Sequence, residues 1–172
     1  MQYNYLRIQK MQIYTSRWNA GNLIIGSGCN AVSISLGVPK FPLAFPTMAS
    51  IPELMPHGSW LQIPEPEYRV KYLAKLEKVG VPWLMVRLQE VSEKNPEGKI
   101  ALLCWENLAK GDWCHRRMFA EWWEEKTGMV VEELGQRHLK VQPPETPLKT
   151  AKKAEKPPKA RQIGLFDEEN RY

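Results

Sequence analysis

Residues 99–117 read Lys99-Ile100-Ala101-Leu102-Leu103-Cys104-Trp105-Glu106-Asn107-Leu108-Ala109-Lys110-Gly111-Asp112-Trp113-Cys114-His115-Arg116-Arg117. The segment Lys99–Trp105 is a short, almost continuous apolar run, the pattern of a strand covered on both faces. Asp112 then reads as the N-cap of a helix over Trp113–Thr127, closed by Gly128. Met118, Phe119 and Trp122 face the core of that helix by spacing. A buried strand that turns into an amphipathic helix is the repeating unit of an α/β fold.

The rest of the chain extends this pattern. Upstream, Tyr68, Tyr72, Leu73, Leu76 and Val79 share one face of a helix over Glu67–Val79, with Gly80 at its stop. Pro82 suits the first turn of a second helix, continued by Leu84, Leu88 and Val91 to about Lys94. Met11–Ser16 and Ala31–Ser35 read as strands, and Arg17–Asn22 as the break between them. The apolar run Leu23–Ile25 is no more than strand-sized. Met129–Val131 would be a last strand. Residues 37–66 hold Pro39, Pro42, Pro46, Pro52, Pro56, Pro64 and Pro66, a density that forbids regular structure over most of the segment. The expectation is an α/β domain with a mostly parallel sheet, helices on its faces and a Rossmann-like arrangement.

Composition bounds the function classes. The 172 residues are 43% hydrophobic and 25% charged, which is ordinary for one globular domain. No apolar run approaches the length of a membrane span, so no membrane partner is expected. The N-terminus lacks a cationic stretch followed by an apolar core, so no secretory signal is expected. Three cysteines without a short pairing pattern argue for a reducing, cytoplasmic setting rather than a disulfide scaffold.

Charge and proline divide the chain. Residues 1–10 read as a leader and residues 11–141 as the folded domain. Residues 142–161 form a basic Pro/Lys-rich linker, too poor in apolar side chains to offset its ordering entropy, so a disordered tail is expected. Apolar residues return at 162–166 and acids follow. Of the net charge of +5, residues 1–141 carry +3, the linker +4 and the last eleven residues −2. A mildly basic body permits an anionic ligand without demanding one.

The candidate chemistry lies in the opening segment. A helix beginning near Trp113 would put Cys114 and His115 in its first turn, where free N–H groups and the positive dipole end lower a thiol's pKa and attract anions. Cys114 is the candidate nucleophile, His115 its base or acid, and Glu106 the carboxylate near the strand end. Ligands of open α/β sheets sit beyond the carboxyl ends of the strands. Cys104 would therefore join them, and so would Thr15, Ser16, Arg17, Trp18 and Asn19 at the end of the first strand. Arg17 and Arg116 would clamp an anion. Other readings stand beside these. Cys104 also reads as plain core, His115 as a loop-bonding residue, and Arg117 as an ion pair with Glu121. A zinc site from Cys104, Cys114 and His115 lacks a close cysteine pair, so no metal and no cofactor are expected. A phosphatase-type loop would want arginine where Lys110 stands. Gly26-Ser27-Gly28 lacks a strand–turn–helix around it.

Four motifs carry a resemblance. Ile13-Tyr14-Thr15-Ser16-Arg17, Gly37-Val38-Pro39-Lys40-Phe41-Pro42, Leu102-Leu103-Cys104-Trp105-Glu106 and Trp113-Cys114-His115-Arg116-Arg117 resemble the domain-of-unknown-function family numbered 488, over about residues 11–134. The resemblance implies an α/β domain with a site around these motifs, and supplies no reaction.

The C-terminal Gln162-Ile163-Gly164-Leu165-Phe166 resembles the peptide by which bacterial replication and repair proteins dock on the DNA sliding clamp. Leu165 and Phe166 would fill an apolar pocket and Gln162 would bond its rim. The linker would reach roughly 25 Å and graze DNA phosphates. The combined expectation is a DNA-associated protein, at the nucleoid if the clamp peptide is used, that binds a nucleotide or nucleic-acid component and modifies it through a Cys-His-Arg site. The rivals are an enzyme of small sulfur or nucleotide metabolites with an incidental tail, and a non-catalytic DNA or protein adaptor. The sequence leaves oligomeric state open.

Overall fold

A computed structural model describes residues 10–136 of the chain. The leader, the linker and the terminal peptide, with Gln162, Leu165 and Phe166, lie outside the described residues.

Five strands form one sheet, all parallel: β1 (Gln12–Arg17), β2 (Asn30–Ser33), β3 (Thr47–Ser50), β4 (Lys99–Cys104) and β5 (Glu132–Glu133), in the order β3-β2-β4-β1-β5. The helices are α1 (Gly21–Ser27), α2 (Glu65–Val79), α3 (Val81–Ser92) and α4 (His115–Thr127). This is the α/β, Rossmann-like architecture expected. β4 sits centrally, in register with β1 from Gln12 opposite Lys99 to Arg17 opposite Cys104, and with β2 from Asn30 opposite Ile100 to Ser33 opposite Leu103. Its position explains its composition, because residues Ile100 to Leu103 are buried whichever way they point.

The strand alternation sorts the core into two layers. Ile13, Val32, Ile34, Ile100 and Leu102 pack with Tyr72 and Leu76 of α2, Leu84 and Leu88 of α3, and Phe119 and Trp123 of α4. Ala31, Ala101 and Leu103 pack the opposite way, with Trp18, Ile24 of α1 and Phe45. Fully burying one such Leu or Phe contributes about 1.5–3 kcal/mol.

Four expectations need correction. α4 starts at His115, and Cys114, not Asp112, is its extended N-cap. The Asp112 carboxylate instead accepts the Asn107 N–H at 3.0 Å, closing the preceding loop on itself. Leu23–Ile25 belongs to helix α1, which begins inside the expected break and ends on left-handed Gly28 (φ 68°). The proline-rich segment contains the edge strand β3, in the proline-free window between Pro46 and Pro52, besides short 3-10 turns at Pro52–Leu54 and Gly58–Trp60. The last strand is Glu132–Glu133 rather than Met129–Val131, because Val131 turns into the core and pairing begins after it.

Candidate functional site

A cavity of about 410 Å³ opens beyond the carboxyl ends of β2 and β4. Its walls come from Ser35, Leu36 and Gly37 after β2, from Pro56 and Leu61, from Tyr68 of α2, and from Cys104, Trp105, Glu106, Asp112, Trp113, Cys114 and His115. Cys104 is the last residue of β4, Cys114 caps α4 and His115 opens it, so two rigid elements deliver three of these groups.

His115 is oriented by the backbone. Its Nε2 lies 2.9 Å from the carbonyl oxygen of Ile34, which only accepts, so we assign the ring proton to Nε2. That turns Nδ1 toward the sulfurs, 3.6 Å from Cys104 Sγ and 3.8 Å from Cys114 Sγ. The three donor atoms lie within 4.8 Å of one another. Tyr72 packs edge-on against the imidazole, ring centroids 5.4 Å apart. Cys114 Sγ also lies 2.8 Å from Glu106 Oε2, and the Glu106 side chain is 40% exposed toward the cavity.

The thiols titrate as a pair. The hydrogen bond to Cys114, then burial, then the charge of Cys114 push Cys104 far up. Burial opposes ionisation of Cys114 too, but the Cys104 hydrogen bond, His115 and Arg116 outweigh it and bring Cys114 down to about 6. The pair therefore gives up its first proton far more readily than its second. Burial raises Glu106, but hydrogen bonds from Cys114 and Cys104 win and hold it below the usual carboxylate range. The two downward shifts compete for one proton, since a Cys114 thiolate would face the Glu106 carboxylate at 2.8 Å without a hydrogen between them. Burial, and then Cys114 and Cys104, raise the nearby Tyr68 phenol.

Arg116 is wholly buried and turned to another task. Its Nε and Nη2 each lie 3.0 Å from a Glu133 carboxylate oxygen, and Nη2 donates to the Glu106 carbonyl at 2.9 Å. Thr15 Oγ1 donates to the same Glu133 at 2.7 Å. Arg116 Nη1 stands 3.9 Å from Glu106 Oε2, with no hydrogen-bond partner. The guanidinium therefore props the backbone of Glu106 and does not line the cavity.

The other expected residues separate. Cys104, Glu106, Cys114 and His115 meet. Thr15, Ser16, Arg17, Trp18 and Asn19 line no part of the cavity: Ser16 and Trp18 are buried, Arg17 is half-buried opposite Cys104 in the ladder, and Asn19 is exposed. Trp18 acts at one remove, its Nε1 donating to Ser35 Oγ at 3.0 Å while Ser35 Oγ donates to the Gly37 carbonyl at 2.7 Å. Trp105 and Trp113, 44% and 38% exposed, form aromatic walls. Trp105 Nε1 donates to the same Gly37 carbonyl at 3.2 Å, and Trp113 meets Tyr68 edge-on at 4.8 Å. The sequence reading missed Glu133, Ser35 and Tyr68. None of the three lies inside the four motifs. Cys29 is half-buried, belongs to the opposite layer, and has its thiol raised by burial.

Among the described residues, no helix is long and apolar enough to cross a membrane. No family model, no curated protein and no solved structure matches the chain.

Proposed function

We propose that the chain binds the base of a nucleotide, or of an unpaired nucleic-acid strand, in this cavity and modifies it through Glu106, Cys114 and His115. The observation that carries the reading is the convergence of these three groups at the wall of a 410 Å³ pocket flanked by Trp105 and Trp113. The volume suits a small ligand, and half-exposed tryptophans offer stacking surfaces worth roughly 1–3 kcal/mol per base. The lining includes Glu106 and Asp112 but no lysine or arginine. A flat, uncharged ring therefore fits the interior better than a phosphate, which would stay outside. DNA association and docking on a sliding clamp through Gln162, Leu165 and Phe166 belong to the same proposal and rest on the sequence. So does membership of the family numbered 488, whose motifs Leu102–Glu106 and Trp113–Arg117 supply most of the reacting groups.

The test is tryptophan fluorescence of the full chain, titrated with nucleosides, nucleotides and short single-stranded oligonucleotides. Saturable quenching that weakens about tenfold in Trp113→Ala and survives in Trp113→Phe supports the reading. No saturable quenching by any of them overturns it. Cys114→Ala, which should keep the quenching, should lose any product found by mass spectrometry.

A further inference from the structure

We propose that Cys104, Cys114 and His115 hold a divalent transition-metal ion of the zinc class, with a fourth position open to the cavity. The inference rests on the cluster being the working end of that cavity, and assigns the two sulfurs as ligands rather than free thiols.

The donor set and its spacing fit such an ion. Two thiolates and an imidazole suit a borderline-soft cation, and three protein ligands with one open position make a catalytic rather than a structural site. Metal–sulfur bonds of about 2.3 Å and metal–nitrogen bonds of about 2.0–2.1 Å, in tetrahedral array, place sulfur and nitrogen about 3.5–3.6 Å apart. The two sulfur–Nδ1 separations are 3.6 and 3.8 Å, and all three donors lie within 4.8 Å of one another. Both sulfur–nitrogen separations come close to that array, and 4.8 Å bounds the separation of the two sulfurs.

The surroundings fit too. The other nitrogen of a metal-bound histidine commonly donates to a carbonyl, fixing the tautomer that leaves the ligating nitrogen bare. His115 Nε2 makes that contact with Ile34. The neighbouring carboxylates also suit a cation. Cys104, Cys114, Glu106 and Glu133 crowd one guanidinium, Arg116, whose Nε and Nη2 are committed to Glu133. Glu106 Oε2, 2.8 Å from Cys114 Sγ, is too close to that sulfur to share a tetrahedron with it, so the carboxylate stands beside the open position as a proton acceptor. The cysteines lack the short spacing of familiar metal motifs, and the strand–loop–helix fold supplies the proximity instead.

The experiment uses the full chain, purified under reducing conditions without chelator. Elemental analysis should find about one zinc per chain. After removal and reloading with cobalt(II), the protein should show the thiolate charge-transfer absorption and the intense visible bands of a tetrahedral sulfur site. Cys104→Ser and Cys114→Ser should each abolish the charge-transfer absorption or halve it, and Cys29→Ser should leave it intact. Circular dichroism of each variant confirms folding. Zinc at the level of the buffer blank with no cobalt spectrum, or a spectrum indifferent to both substitutions, overturns the proposal. So does a Cys104–Cys114 disulfide found under these reducing conditions. Nucleoside quenching in a metal-free chain would leave the cavity reading standing while this inference falls. A cobalt site in a chain that binds no nucleoside would do the reverse.

Discussion

The Nε2 of His115 lies 2.9 Å from the carbonyl oxygen of Ile34, eighty-one positions earlier in the chain. That contact ties the first turn of α4 to the end of β2 and aims Nδ1 at both sulfurs. A site resting on one backbone carbonyl is insensitive to which side chain occupies position 34, provided it fills the core. Ile34→Val should cost about 0.5–1.5 kcal/mol of stability by urea unfolding and leave the cobalt spectrum unchanged. A changed spectrum would mean that the imidazole is held some other way.

In protein stripped of metal and fully reduced, the two buried thiols should differ in reactivity. Cys114, brought down to about 6, should react with a neutral alkylating reagent half-maximally near that pH, faster above it and slower below, because the thiolate is the attacking form. Cys104, pushed up by its partner, should stay unmodified across the neutral range. Peptide mapping after timed alkylation reads both, and equal labelling would refute the unequal titration of the pair.

Arg116 and Glu133 form a buried pair, so removing one partner is worse than removing both. Arg116→Met alone should lose about 3–5 kcal/mol, while Arg116→Met with Glu133→Leu should recover most of that loss. Urea midpoints decide it. A double variant no more stable than the single one would show that the pair does more than balance its own charge.

Trp18 reaches the cavity through Ser35 and through a tilted ring contact with Trp105, centroids 6.3 Å apart. Trp18→Phe should cost about 0.5–1.5 kcal/mol and weaken nucleoside binding, because Ser35 and the Gly37 carbonyl would lose their anchor. Ser35→Ala should act the same way, and the double variant should be less harmful than the sum. Strict additivity would break the proposed chain of contacts.

Deletion of residues 162–172 should abolish binding of the chain to purified sliding clamp and leave nucleoside quenching and zinc content as they were. Unchanged clamp binding would remove the docking proposal.

Much of the architecture was legible because long apolar patterns carry their own punctuation. β4 shows as an unbroken run, and α2 and α3 show a periodic face with Gly80 between them. What escaped was short or decided at a distance. α1 has seven residues, two of them glycine, and buries only Ile24. β3 is a four-residue edge inside a proline-rich stretch. Asp112 has good N-cap chemistry, but its carboxylate found the Asn107 N–H nearer, and Cys114 took the cap. Residues 15–19 do end at the right edge of the sheet. The pleat sends Ser16 and Trp18 to the far layer, however, and Glu133 engages Thr15. The strand-end argument already drew Cys104, Glu106 and Cys114 together, with His115 beside Cys114, while the bond from Arg116 to Glu133 is a tertiary fact with no local mark.

The strand order has a consequence for synthesis. β1 and β2 are not neighbours, and the slot between them is filled by residues 99–104. A nascent chain therefore has an unfilled slot between β1 and β2 until residues 99–104 have left the ribosome. Cys104 arrives on the strand that closes the gap, and Cys114 and His115 follow it directly in the chain. A chain that stalls before β4 slots in therefore lacks all three donor groups of the cluster.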